Sequence, residues 1–170
     1  MDNKETAKKS WAVRFFKPTL DWKFGVRLLV LIVAASVLFG FFLRPCVIYG
    51  GSMEPTYGSR GFTFYWNDPN AGDKVTYGDI VAIRNRPREL YLKRVVGLPG
   101  DTISFIGGKL YRNGQAVDEP SVTLPSDWEQ LPVTVGEGQL FCVGDNRSMP
   151  IEMHRYGITD MERIAGKPIW

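Results

Sequence analysis

An all-β domain, built as an antiparallel, coiled sheet and preceded by a single N-terminal transmembrane helix, is the architecture this sequence predicts. Two observations predict it. The run LLVLIVAASVLFGFFL, residues 28–43, holds sixteen residues without a charge. From Tyr49 onward, Gly, Pro, Asn and Asp cut the chain into short runs rich in β-branched and aromatic residues. None of those runs keeps a helical apolar period over ten residues, so strands are the economical reading.

The apolar run comes first. About 20 apolar residues cross a bilayer core, and residues 24–26 lengthen this run on its near side while Arg27 can snorkel to the interface. It has no polar face, unlike a helix packed on a soluble core. A cleavable signal peptide shares the layout of basic head and apolar middle, but RPCVIYGG after the run offers no small-x-small cleavage site. The expectation is an uncleaved anchor over residues 28–44, with a basic head at 1–27 and a β-rich domain at 45–170. The head carries seven basic residues (Lys4, Lys8, Lys9, Arg14, Lys17, Lys23 and Arg27) against Asp2, Glu5 and Asp21. Positive charge stays on the cytoplasmic side, so the N-terminus is expected in the cytoplasm and the β domain outside. A compact chain with no transit segment ahead of its anchor points to a single-pass protein of a bacterial plasma membrane, with the lipid bilayer as a partner.

The strands follow in order. FTFYW (62–66), DIVAIR (79–84), LYLKRVVGL (90–98) and DTISFIGGKLYRNGQAV (101–117) carry the strand-forming residues, and Asn113-Gly114 is a two-residue hairpin signal. QLFCVGDN and the terminal GKPIW read as two further strands. PNAGDKVTYGD and SVTLPSDWEQLP read as loops from their breakers.

Composition bounds the function. With 44% hydrophobic and 23% charged residues the chain is globular, and a net charge of +3 is too small to argue for nucleic acid. Cys46, Cys142 and the one histidine are too few for a structural zinc site; no metal or cofactor is expected, and the cysteines read as two buried thiols rather than a disulfide.

YGGSMEPTYGSRG, residues 49–61, presents Ser52 in a glycine-rich turn just beyond the apolar run. A serine hydroxyl attacks at neutral pH only with a base beside it. His154, in PIEMHRYG, is one candidate base, although a single histidine in a loop is more often solvated. Lys93 is the other. It lies inside an apolar strand, where period two puts Tyr91, Lys93 and Val95 on one face and Leu92, Arg94 and Val96 on the other. Burial disfavours the ammonium form and lowers a lysine pKa, which makes the neutral amine a base.

GSMEPT (51–56), YLKRVVGLPGD (91–101) and GDNR (144–147), in this order behind an apolar span, resemble three signature boxes of type I signal peptidases. The resemblance covers roughly residues 47–170. It implies a membrane-bound serine endopeptidase that removes signal peptides from exported preproteins after small residues, Ala-x-Ala in type, without a cofactor. It places the nucleophile on Ser52 and the general base on Lys93. Preproteins are the implied partners, with the export translocon beside them. Where some members have a serine two residues before the nucleophile, this chain has Gly50; its oxyanion hole would rest on backbone N–H groups around Gly50, Gly51 and Ser52. Only eight residues separate Leu43 from Ser52, which keeps the nucleophile near the end of the span. Val47, Ile48, Tyr91 and Leu92 are candidates to line the substrate pockets. After GDNR the chain departs from the family pattern. Ser148 is the serine nearest the usual place of the lysine's partner, Glu152 stands for the family's aspartate, and Arg155 fills the arginine place. Asp145 is expected to pair with an arginine as structural support, Arg155 first, with Arg94 also among the supporting residues. Two other readings share these residues: a peptidase dedicated to one exported precursor such as a conjugative pilin, and a membrane-anchored β module that binds peptides without cutting them.

Overall fold

The computed structural model describes residues 21–86, 89–154 and 156–169. The chain divides into two compact units, Met1–Gly40 and Phe41–Trp170. In the first, helix α1 spans Trp22–Val37 and runs on into a π-helical turn, Leu38–Phe42. Asp21 starts it, its side chain accepting the Phe24 N–H at 2.9 Å, which satisfies one of the free donors of the first turn. The helical stretch Trp22–Phe42 is 21 residues with mean hydropathy 2.4 and is not buried. At 1.5 Å per residue it is about 30 Å long, enough to cross a bilayer core. It begins earlier than the uncharged run, because the Asp21 cap recruits Lys23 and Arg27 into the first turns. It ends earlier too, since Leu43 and Arg44 pair in a strand. Residues 1–20 of the basic head lie outside the described residues.

The second unit is almost entirely β. Its strands are β1 (Leu43–Tyr49), β2 (Arg60–Asn67), β3 (Ile80–Arg86), β4 (Glu89–Gly97), β5 (Thr102–Ile106), β6 (Lys109–Arg112), β7 (Gln115–Ala116), β8 (Gln130–Thr134), β9 (Gln139–Val143), β10 (Gly157–Asp160) and β11 (Ile164–Pro168). They form a seven-stranded sheet in the order β1-β2-β11-β3-β4-β9-β10 and a four-stranded sheet in the order β7-β6-β5-β8. Every ladder among the described residues is antiparallel, as expected. Asn113 and Gly114 turn β6 into β7 with positive φ at both residues (54° and 77°), the geometry that the Asn-Gly pair favours. Gly107-Gly108 does the same between β5 and β6, at φ 57° and 73°.

The sequence reading missed three strands. β1 continues directly from the apolar run and was hidden in it. β8 lies where breakers suggested a loop, and it tolerates Pro132 because it is the last strand of its sheet. β10 is short, four residues following a turn. Among the described residues three apolar clusters fill the unit. One, made of Cys46, Ile48, Met53, Tyr65, Ala82, Leu92 and Ala165, lies under β1 and the first half of β4. The second gathers Val81, Ile83, Val95, Leu140, Cys142 and Ile164. The third joins the two sheets through Val96, Ile103, Phe105, Leu110, Trp128, Phe141 and Val143. Both cysteines are free and buried.

Candidate active site

Lys93 lies mid-strand on β4, in register with Val81 of β3. Only 3% of it is exposed, and the pleat that carries its side chain carries Tyr91 and Val95 as well. Desolvation brings its pKa from an ordinary 10.5 down to about 8, against a smaller opposing pull for which the Asp145 carboxylate is the charged partner. The Cys142 thiol is itself pushed up to about 12 by burial, so it is uncharged near neutral pH and supplies no counter-charge. The Lys93 amine meets one hydroxyl. Its Nζ is 2.8 Å from Ser52 Oγ.

Ser52 stands in a single 3-10 turn, Gly51–Met53, between β1 and β2. Gly50 enters the turn at φ +95°, a conformation that side chains disfavour, and its N–H is held by Ser59 O at 2.9 Å. Met53 anchors the turn from below, 2% exposed in the cluster under β1. The 144–147 segment grips it from the side. Asn146 donates its main-chain N–H to Ser52 O at 3.1 Å and its side-chain amide to Gly51 O at 2.9 Å. A Cβ on Gly144 would overlap both the Ser52 carbonyl oxygen and the His154 ring, so glycine alone fits between them.

Asp145 is wholly buried and takes a bidentate pair from Arg94, Nε to Oδ1 at 2.8 Å and Nη2 to Oδ2 at 2.6 Å. Thr56, at the end of the serine turn, donates its hydroxyl to the same carboxylate. Among the described residues Arg94 is the arginine that pairs with Asp145, where Arg155 was expected first. The reason is register: Arg94 pairs with Val143 on β9, which delivers Asp145 two residues later to the guanidinium. Arg155 lies outside the described residues. Ser148 donates to Asn146 Oδ1 at 2.6 Å; it braces Asn146 and not the lysine. Glu152 is exposed on a 3-10 turn, placed to meet water rather than to brace the site. Arg147 is fully buried; it donates Nε to Gly144 O at 2.9 Å and forms two bonds with Glu119, at 3.0 and 2.5 Å. His154, expected in solvent, is 4% exposed and packs edge-on against Trp128 with ring centroids 4.7 Å apart. Asn146, Thr56 and Glu119 were not singled out from the sequence. The one available signal was that Asn146 and Thr56 belong to the quoted boxes.

A groove opens beside the pair. β1 is the end strand of the large sheet, and β4 is paired to β9 only from Arg94 onward. No ladder joins β1 to residues 89–93 among the described residues, so two strand edges face one gap. Val47, Ile48, Tyr91 and Leu92 all line it, with Gly50, Ser52 and Met53 at its floor. The cavity touching Ser52 is about 20 Å³; a larger one of about 300 Å³ continues past Pro45, Tyr49 and Glu89. A hydroxyl beside a desolvated amine, at the floor of an edge-lined groove, is chemistry for attacking an extended peptide.

Known proteins resemble this chain. The family model described as "Signal peptidase, peptidase S26" matches residues 21–170. The chain belongs to the signal peptidase family S26. Signal peptidase I of Bacillus licheniformis is 32% identical over 153 residues, covering 82% of this chain and 81% of its own length. Signal peptidase I S of Bacillus subtilis (strain 168) is 31% identical over 170 residues, covering 93% and 91%. A solved signal peptidase I from Enterococcus faecalis V583 shares 26% identity, with a TM-score of 0.47 over 55% of this chain and 96% of that one. This S26 chain is accordingly a hydrolase of peptide bonds whose activity is the removal of signal peptides.

Proposed function

We propose that this S26 peptidase is a membrane-anchored endopeptidase with Ser52 as nucleophile and Lys93 as general base. The observation that carries it is the 2.8 Å approach of a buried lysine amine to the serine hydroxyl. With the amine neutral, the hydroxyl donates its hydrogen to Nζ. As Oγ attacks the scissile carbonyl carbon, that proton passes to Lys93, and the carbonyl oxygen becomes an oxyanion facing the Ser52 N–H, approached closely because Gly50 and Gly51 carry no side chains. The ammonium then returns the proton to the leaving amine. Lys93 next takes a proton from water as the water oxygen attacks the acyl ester, and returns that proton to Ser52 Oγ as the ester C–O bond breaks and the carboxylic acid product leaves.

The substrate enters as a strand in the gap between β1 and β4, adding its backbone to the strand edges that face it. The cavity of about 20 Å³ at Ser52 has room for little more than one water-sized group, which favours a small residue before the cut. Helix Trp22–Phe42 anchors the enzyme in the plasma membrane, the basic head in the cytoplasm and the β unit outside, where preproteins emerge from the translocon.

The test is a preprotein cleavage assay on the detergent-solubilised chain. Ser52→Ala and Lys93→Ala are expected to lose activity by at least about 1,000-fold, as loss of an acting unit does. Lys93→Arg keeps charge and length but cannot deprotonate, so it is expected to be as inactive as Lys93→Ala. Wild-type cleavage by either Ser52→Ala or Lys93→Arg refutes the dyad.

A further inference from the structure

The neutral imidazole of His154 has one nitrogen that works and one that does not. Nε2 lies 3.0 Å from the Asn146 main-chain oxygen. A carbonyl oxygen only accepts, so Nε2 carries the hydrogen and the tautomer is fixed. Nδ1 is then a bare lone pair, buried and without a hydrogen-bond partner. Burial, with the nearby Lys93 and Arg147 cations, holds the ring's pKa down to about 4, while Asp145 and the Asn146 bond oppose the shift weakly. An apolar side chain would pack against Trp128 without stranding an acceptor, so packing alone does not explain a histidine here.

What the working nitrogen holds is the residue that holds the nucleophile. Asn146 binds the two carbonyls on either side of Ser52. The Gly51 oxygen belongs to the same planar peptide as the Ser52 N–H, and in a trans peptide the two point in opposite directions. Fixing that oxygen from one side therefore aims the Ser52 N–H out of the other. The Ser52 oxygen fixes the next peptide plane, so Asn146 sets both ends of the residue that carries Oγ. His154 in turn pins Asn146 by its own carbonyl, and Ser148 pins it by Oδ1. The His154 ring can reach there only because Gly144 lacks a Cβ.

We infer that His154 is a positioning residue for the cleavage reaction: by donating Nε2–H to Asn146 O it orients the Gly51–Ser52 peptide, aiming the Ser52 N–H at the oxyanion and Oγ at Lys93. The inference rests on the Ser52–Lys93 reading above. It separates His154 from the base: the histidine moves no proton in the reaction.

The experiment compares His154→Leu, which removes the donor, with His154→Gln, whose side-chain amide returns one at a similar reach. Ser52→Ala is run beside them. Steady-state cleavage of a preprotein by the full chain in detergent gives kcat and KM, and thermal melting reports folding. His154→Leu is expected to lose about 10- to 100-fold in kcat, less than loss of a direct oxyanion donor, with KM within about twofold of wild type. His154→Gln is expected to regain most of that loss. The pH midpoint of kcat/KM stays at its wild-type value in His154→Gln, because Lys93 is untouched. A wild-type kcat in His154→Leu overturns the inference. So does an equal loss in both variants, or a loss that merely follows the folded fraction measured by melting. An active Ser52→Ala would instead sink the dyad reading, so the two failures are distinct.

Discussion

On the proposed dyad, Lys93 ties activity and stability to a single proton, and replacing it with methionine should separate the two. The fold brings this lysine from 10.5 to about 8 by desolvation. Between those values the unfolded chain binds more protons than the folded one, so stability rises with pH across the window. Below about pH 8 both states are charged and the folded state bears the full cost of a buried ammonium. That difference corresponds to roughly 3 kcal/mol; with 3% of the residue exposed, solvent screens little of it. Lys93→Met keeps the length and removes the charge. It is expected to be inactive, yet more stable than wild type at pH 7, with the gain fading as pH approaches 10. For the wild type, the neutral fraction of a base with this pKa is about one tenth at pH 7 and about nine tenths at pH 9. Initial rates at low substrate should therefore rise about tenfold between those pH values, and about tenfold per pH unit below 7. The assays are a kcat/KM profile from pH 6 to 9 and paired melting curves at pH 7 and 10. A rate profile flat above pH 7, or a stability gap between wild type and Lys93→Met that does not change with pH, refutes the reasoning.

Asp145→Ala leaves the Arg94 guanidinium without the carboxylate that it grips at 2.6–2.8 Å; breaking a buried pair from one side should cost roughly 3 kcal/mol, read as a lowered urea midpoint. Substrates whose residue before the cut is leucine instead of alanine should be cleaved more than about 100-fold slower, because overfilling the small cavity at Ser52 forces the strand out of register; equal rates by mass spectrometry of the products would contradict the pocket assignment. Protease added to spheroplasts should digest the β unit and spare the basic head, as positive charge on the cytoplasmic side requires; protection of the β unit would reverse the orientation.

The strands were legible where the side-chain period of two survived in the sequence, as in residues 90–97, and where a turn has its own chemistry, as at Asn113-Gly114. They were illegible where another signal overlay them: the apolar run swallowed the start of β1, and the prolines around residue 132 masked β8. The Ser52–Lys93 contact could be anticipated because a lysine in an apolar strand is chemically conspicuous. Its support could not. Asp145 had several arginines within plausible reach, and the choice of Arg94 follows from the pairing of β4 with β9, a contact between segments about fifty residues apart. His154 looked solvated because polar and breaking residues surround it in sequence; Trp128, which covers it, comes from a distant loop.

The four-stranded sheet is more than a lid attached to the peptidase. Its Phe105 and Leu110 share one apolar cluster with Val96, Phe141 and Val143 of the large sheet. Glu119, in the segment between β7 and β8, neutralises the buried Arg147, and the Trp128 indole N–H is bound to Met149 O at 2.7 Å. Peeling that sheet away, with the segment that carries Glu119 and Trp128, would leave the buried Arg147 guanidinium without its carboxylate and the Met149 carbonyl without its donor, so partial opening there is expected to cost a large share of the domain's stability. The amides of β5 and β6 are consequently expected to exchange with solvent deuterium at the rate of global unfolding, together with those of β9, as native-state hydrogen exchange would measure. The loop that holds Ser52 thereby draws its rigidity from residues far from it in the chain.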